Sequence, residues 1–291
     1  MLSILIPTFN DDLRPLVQNL CHQIQSLETA AEIIIGDDHS DLQDTDKTLE
    51  NLGPVTLIRN AQNLGRTATR QRLAEKANFE TLLFLDADVM PAQNDFLSRY
   101  LSTKSKAPVI FGGIRYADQK PKKSLLLRWV YGKNREAKTA RERRDNPHFI
   151  ISQNLMINKA VFLSVNNPEI QRYGWDNVFS YQLFHQGITV LHIDNPVIHM
   201  GLESCAHYLS KVDQAISTLI WAEQKGMISK DFTSLQKFYN KLNTLGITHL
   251  LERLIRPCLP LMRKQLSSNF PMVRILDLYK FYYFSYYKNK A

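Results

Sequence analysis

Residues 81–91 read TLLFLDADVMP, and the interpretation of the whole chain turns on them. Four apolar residues, 82–85, run directly into Asp86-Ala87-Asp88, which predicts a buried strand ending in two carboxylates. Unpaired carboxylates inside a core would be strongly unfavourable. At the carboxyl end of a strand in a parallel α/β sheet they escape that cost, because this edge opens into the crevice where ligands bind. Two hard oxygen donors separated by one small residue suit a divalent cation that also binds phosphate. A strand followed by an Asp-rich turn, with Pro91 opening a helix, explains the same letters without any ligand. The other strand ends decide between the two.

Short β-rich runs at 2–6, 33–35, 55–58, 82–85 and 109–111 alternate with helical spacing through the first half of the chain. Such alternation predicts an α/β fold with a mostly parallel sheet flanked by helices. Between the first two runs Leu13, Leu16, Val17, Leu20, Ile24 and Leu27 recur at helical spacing, with Asp11 and Asp12 as caps and Pro15 in the first turn. Each early strand ends in polar chemistry. Pro7-Thr8-Phe9-Asn10 follows the first, Asp37-Asp38-His39-Ser40-Asp41 the second and Asp86-Ala87-Asp88 the fourth, while Asn63-Leu64-Gly65-Arg66 after the third opens a helix bearing Arg70. In a parallel sheet all four gather on one rim, where an aromatic ring, carboxylates and arginines compose a nucleotide pocket. No Gly-x-Gly-x-x-Gly follows the first strand and no Walker-type glycine loop occurs, which counts against the common dinucleotide and P-loop sites.

In this order and spacing, SILIPTFN, EIIIGDDHSD, NLGRTATRQRLAEKA and LLFLDADVMP resemble the successive motifs of family 2 glycosyltransferases, which have the GT-A fold and use nucleotide-sugar donors. The likeness covers roughly the first 115 residues and resumes near residue 150. It implies a metal-dependent, inverting transferase of the hexosyl type with a UDP-sugar as donor. By the same resemblance Pro7, Thr8 and Phe9 line the base and ribose side, and Asp38 accepts from the uracil ring. Arg70 falls beside the diphosphate, Asp86 lies near the ribose and Asp88 ligates Mn²⁺ or Mg²⁺; Gly65 and Ala87 belong to the donor-binding set, and Arg66 is a second phosphate candidate, although a surface-helix arginine is more often simply solvated.

Within 149–158, FIISQNLMIN, Gln153 and Asn154 are polar residues in an apolar run. They are candidates for hydrogen bonds to sugar hydroxyls, and equally for satisfied strand-end amides. In Tyr173-Gly174-Trp175-Asp176-Asn177 the Asp that the family uses as catalytic base is kept as Asp176, while Trp175 replaces the customary Glu and puts that residue's acceptor contacts in question. Asp176 also suits the cap of the following helix. His199, in PVIHMG, stands where family members often place a metal-ligating His, and neutral imidazole is a common ligand. His192 and His207 lack that context.

The chain has 291 residues, 44% hydrophobic and 22% charged, enough for one large domain or a domain with an extension. The expected division is a catalytic domain at 1–204, with a nucleotide-binding half at 1–115 and an acceptor half at 116–204, followed by a helical extension at 205–291. Cys21, Cys205 and Cys258 are odd in number and widely spaced, so they form neither a disulfide framework nor a zinc site and point to a reducing cytoplasm. The opening MLSILIPTFNDD lacks the features of a signal peptide. No apolar run reaches the roughly 18 to 20 residues of a membrane span.

The net charge of +8 suits an anionic partner: nucleic acid, a membrane surface or a phosphorylated substrate. Residues 118–148 hold ten Lys/Arg against four Asp/Glu, with Trp129 and Tyr131 interleaved. An RNA grip, a mobile acceptor loop and a solvated helix all fit that composition, and no RNA-recognition motif supports the first. The tail from Leu250 mixes Arg253, Arg256, Arg263, Lys264, Arg274, Lys280 and Lys288 with LYKFYYFSYYKNK, which suits a helix on an anionic bilayer or a homodimer contact. The expected protein transfers sugar to a glycan or lipid-linked acceptor, in surface polysaccharide or glycolipid synthesis, in the cytoplasm or peripherally on the inner face of the cell membrane. A sugar-nucleotide nucleotidyltransferase and a non-catalytic basic RNA- or membrane-binding module are the competing classes.

Overall fold

The computed structural model describes residues 1–41, 49 and 52–290 and divides into two compact units. The first comprises Met1–Tyr116, Ala137–Gln171 and Leu183–Gly201, and the second Ala117–Glu136, Arg172–Gln182 and Leu202–Ala291. The strands are β1 (Leu2–Thr8), β2 (Ala31–Asp37), β3 (Val55–Arg59), β4 (Thr81–Leu85), β5 (Val89–Pro91), β6 (Val109–Phe111), β7 (Ile114–Arg115), β8 (Asn154–Asn158), β9 (Val190–His192) and β10 (Val197–His199). The α-helices are α1 (Arg14–Gln25), α2 (Arg66–Lys76), α3 (Phe96–Leu101), α4 (Leu126–Tyr131), α5 (Ala140–Arg143), α6 (Lys159–Val165), α7 (Asp176–His185), α8 (Cys205–Gln224), α9 (Ser234–Thr244), α10 (Thr248–Ile255), α11 (Leu259–Leu266) and α12 (Val273–Lys288).

In the first unit seven strands form one sheet in the order β3-β2-β1-β4-β8-β6-β9. β3, β2, β1 and β4 run parallel, β8 runs antiparallel to both β4 and β6, and β9 is parallel to β6. Leu2, Ile4, Leu5 and Ile6 of β1 and Leu82 to Leu85 of β4 are fully buried, as continuous apolar strands covered on both faces must be. Helix α2 seats closely on the sheet because Gly36 of β2 carries no side chain; a Cβ there would lie 3.0 Å from Thr69 and Leu73. Helix α1 starts as the Pro15 signal predicts, but Asp11 and Asp12 do not cap it: Leu13 is the capping residue, and Asp12 instead takes the Arg14 N–H at 3.1 Å and its guanidinium at 2.7 and 2.8 Å. The strand-like pattern of 149–158 narrows to β8, which begins at Asn154.

A second, three-stranded sheet runs β5-β10-β7, with β10 antiparallel to β5 and parallel to β7. Its register sets His199 opposite Val89, directly after Asp88.

The second unit is built on helices. Helical spacing predicts a stripe of Tyr208, Val212, Ala215, Ile216 and Leu219 here, and α8 buries all of these but Ala215, which is half-buried. α12 buries Leu276, Tyr279, Phe281, Tyr282 and Phe284, so much of the aromatic run of the tail is core of this unit. Phe284 meets Tyr239 of α9 at 5.3 Å, and Lys288 pairs with Glu223 of α8 at 2.5 Å. Part of the basic segment is also structural: Arg128 is buried, pairs with Glu136 at 3.0 Å and lies over the Tyr208 ring, while Trp129 donates to the Ala117 carbonyl at 2.8 Å. No helix among the described residues is long and apolar enough to cross a membrane.

Candidate active site

The carboxyl ends of β1 to β4 meet on one rim of the first unit, as parallel strands require. Phe9 projects from the end of β1 with half its surface exposed, beside Thr8, whose buried hydroxyl has no hydrogen-bond partner. Two non-glycine residues take up left-handed backbone here, Asn10 at φ 61° and His39 at φ 70°, an uncommon conformation that concentrates at functional loops. Their loops are tied together: the Asn10 N–H donates to Ser40 Oγ at 2.8 Å, and the Asp41 N–H to Asn10 Oδ1 at 2.9 Å.

Asp38 is buried after β2. Its carboxylate accepts from Asn60 Nδ2, Leu64 N–H and Gly65 N–H, each at 2.8 Å. It thereby moulds the turn into α2, where Gly65 at φ 81° adopts a geometry that favours glycine. A carboxylate offers about four acceptor directions, and these three donors use three of them.

The first Asp after β4 is held by two of the arginines of α2. Arg66 reaches Asp86 at 2.7 Å and Arg70 reaches it at 2.6 Å. Arg70 is buried, also donates to the Ser152 carbonyl at 2.7 Å and lies over the Phe84 ring at 5.3 Å, whereas Arg66 is well exposed. The second Asp, Asp88, accepts from His199 Nε2 at 3.3 Å. Burial alone would raise the Asp88 carboxyl; the hydrogen bond and charge of His199, then the charge of Arg66, outweigh it and hold the group below its ordinary range. The backbone closes around the pair: the Met200 N–H donates to the Asp88 carbonyl at 2.8 Å, and any Cβ on Gly201 would collide with the Asp88 carboxylate.

Asp11, read from sequence as a cap, belongs to this cluster. Burial first, then the charges of Asp88 and Asp86, push its carboxyl up against the opposing Phe9 backbone hydrogen bond. Hydrogen bonds and charge thus link Asp38, Gly65, Arg66, Asp86, Asp88, His199 and Asp11 in one group. Among the described residues no set of three or more His, Cys, Asp or Glu is arranged to hold a metal. One carboxylate and one imidazole face each other, and the buried His199 Nδ1 has no hydrogen-bond partner. Carboxylate oxygen and imidazole nitrogen are donor types that suit a divalent cation, provided its further ligands come from outside the chain.

Other sequence candidates sort differently. Asn154 is fully buried and spent: its amide donates to the carbonyls of Gly113 at 2.8 Å and Asn195 at 2.9 Å, and its oxygen accepts from Tyr100 at 2.7 Å. It is a sheet residue and has no amide group left for a sugar. Gln153 is buried with an unpartnered Oε1, and its carbonyl accepts from the Asp86 N–H. His192 accepts from Arg143 Nε at 3.0 Å and contacts the Pro147 carbonyl at 2.7 Å, a structural post; His207 pairs with Glu203. In the second unit Trp175 is buried and Asp176 occupies the first turn of α7, where a carboxylate complements the helix dipole. Gly174, at φ 87°, precedes them with Ala215 of α8 tight against it.

The family model described as glycosyl transferase family 2 matches residues 3–165. No curated protein sequence matches the chain significantly. Among solved structures, the chain is similar to the mannosyltransferase PcManGT from Pyrobaculum calidifontis in complex with GDP-Man and Mn²⁺, at 13% identity and a TM-score of 0.55, covering 75% of this chain and 64% of that one. It is also similar to S. aureus TarS, at 13% identity and a TM-score of 0.54, covering 99% of this chain and 55% of TarS. The TarS 1–349 complex with UDP aligns at 15% identity and a TM-score of 0.50, over 100% of this chain and 92% of that one. The chain therefore spans less than two thirds of the mannosyltransferase and of the longer TarS chain. At these identities the likeness is one of fold, that of GT-A glycosyltransferases.

Proposed function

The chain belongs to glycosyl transferase family 2, and on that footing we propose that it moves a sugar from a nucleoside-diphosphate donor, a UDP-sugar, to an acceptor hydroxyl with inversion. The observation that carries this reading is the connected group at the rim of β1 to β4, where an exposed ring, a carboxylate with one acceptor direction left, an exposed arginine and a carboxylate–imidazole pair lie together. The Phe9 ring stacks on the base and Asp38 accepts from it. Arg66, the more exposed of the two arginines, turns from Asp86 to the diphosphate, while Arg70 holds Asp86 in place. Asp88 and His199 would hold Mn²⁺ or Mg²⁺, and the ion when bound would neutralise charge growing on the departing diphosphate. Gln153 hydrogen-bonds the sugar. Asp176 takes the acceptor's proton. The acceptor is a glycan or lipid-linked glycan.

Turnover tests this directly. With a panel of nucleotide sugars and acceptors, release of nucleoside diphosphate is expected, and release of pyrophosphate would instead mark nucleotidyl transfer. Asp176→Asn keeps the size of the side chain but cannot accept the proton, so turnover should fall about 10²- to 10⁴-fold with donor affinity unchanged. Full activity in that variant would remove Asp176 from the mechanism.

A further inference from the structure

The second unit exposes an apolar surface that the aromatic tail does not provide. Residues 248–266 form one helical run, α10 and α11 joined by a 3-10 turn at Arg256–Cys258. Thr248, Met262 and Leu266 are buried, while Leu250, Leu254 and Leu261 stand 56%, 59% and 68% exposed. Isolated exposed leucines are ordinary, but three on one short run are an unsatisfied apolar stripe. Arg253, Arg256, Arg263 and Lys264 are exposed on the same run. Its one acidic residue, Glu252, is half-buried and accepts from Ser285 and from Asn289 Nδ2. Just beyond, Phe270 is 78% exposed.

We propose that the α10–α11 run is an interfacial element that lies on an anionic lipid bilayer, its leucines entering the acyl boundary and its arginines and lysine meeting the headgroups. Apolar side chains with basic neighbours and no exposed acid are the composition such a surface selects. A second copy of the chain is a poorer occupant, because a two-fold contact sets the same patch against itself and would face these cations with one another. The proposal moves the membrane contact away from the aromatic helix α12, whose rings are largely consumed by packing. It goes beyond sugar transfer and is tested without it.

The experiment is co-sedimentation of the full chain with vesicles of phosphatidylcholine alone or with added phosphatidylglycerol. Wild type should pellet with the anionic vesicles and remain in solution with the neutral ones. Replacing Arg253 and Arg256 by Gln should weaken partition about five-fold per residue. Leu250→Ser/Leu254→Ser/Leu261→Ser should abolish it at an unchanged melting temperature. Cys258 sits mid-run and is the one exposed cysteine, so an environment-sensitive fluorophore on it should shift to the blue when anionic vesicles are added. Undiminished pelleting of the triple variant, or an unmoved fluorophore in a protein that pellets, would overturn the proposal. So would a wild-type dimer by sedimentation equilibrium that the leucine substitutions dissolve while vesicle binding persists.

Discussion

Arg66 and Arg70 touch the same carboxylate, and burial separates what each can do. Arg70→Ala leaves Asp86 and the Ser152 carbonyl short of a buried partner, so a stability loss of about 3 kcal/mol or more is expected in urea denaturation. Arg66→Ala should cost under about 1 kcal/mol, as exposed pairs do, yet weaken donor binding several-fold by calorimetry. Unchanged donor affinity in Arg66→Ala would take that residue out of the site. Gly201→Ala makes a sharper case, since the added methyl falls on the Asp88 carboxylate. It should remove Mn²⁺-dependent stabilisation by UDP; a thermal shift equal to wild type would show that Asp88 can move aside without loss. Motif context singles out Asp88 and His199 in the sequence, and the structure brings these two side chains together. The role of Asn154 was not legible there, because a satisfied core amide and a ligand-binding amide look alike in an apolar run, and its partners Tyr100, Gly113 and Asn195 lie 41 to 54 residues away.

At the scale of elements, the large sheet was readable because its central strands are continuous apolar runs that end in polar clusters. The small sheet was not, since β5, β7 and β10 are two or three residues long and carry no periodicity, although their register is what sets His199 beside Asp88. A similar long-range tie fastens β9 to the segment after α5. Arg143 Nε donates to His192 Nδ1, so the ring is neutral with its other nitrogen donating to the Pro147 carbonyl. Burial, then the charges of Arg143 and His148, lower the His192 pKa against the pull of the Pro147 carbonyl. A base depressed in the folded state contributes stability that is complete above its unfolded pKa of about 6.5 and is lost as pH falls through the folded value. Stability should therefore decline on acidification below about pH 6.5, and His192→Gln should flatten that part of the profile. The same slope in both proteins would assign it to other groups.

For the molecule as a whole, the second unit draws segments 117–136 and 172–182 to the carboxyl-terminal helices. Composition alone does not reveal this. Aromatic and basic residues read the same whether they line a bilayer or a helical core, and burial decides for Phe281 and Phe284. In the proposed mechanism Asp88 and His199, too few donors to hold an ion by themselves, would bind it together with a diphosphate. Calorimetric titration with UDP, in Mn²⁺ and in excess chelator, on wild type and Asp88→Ala, measures this directly. Binding should be present for wild type in Mn²⁺ and lost both in chelator and in the variant, whereas equal UDP affinity with and without the ion would contradict the account.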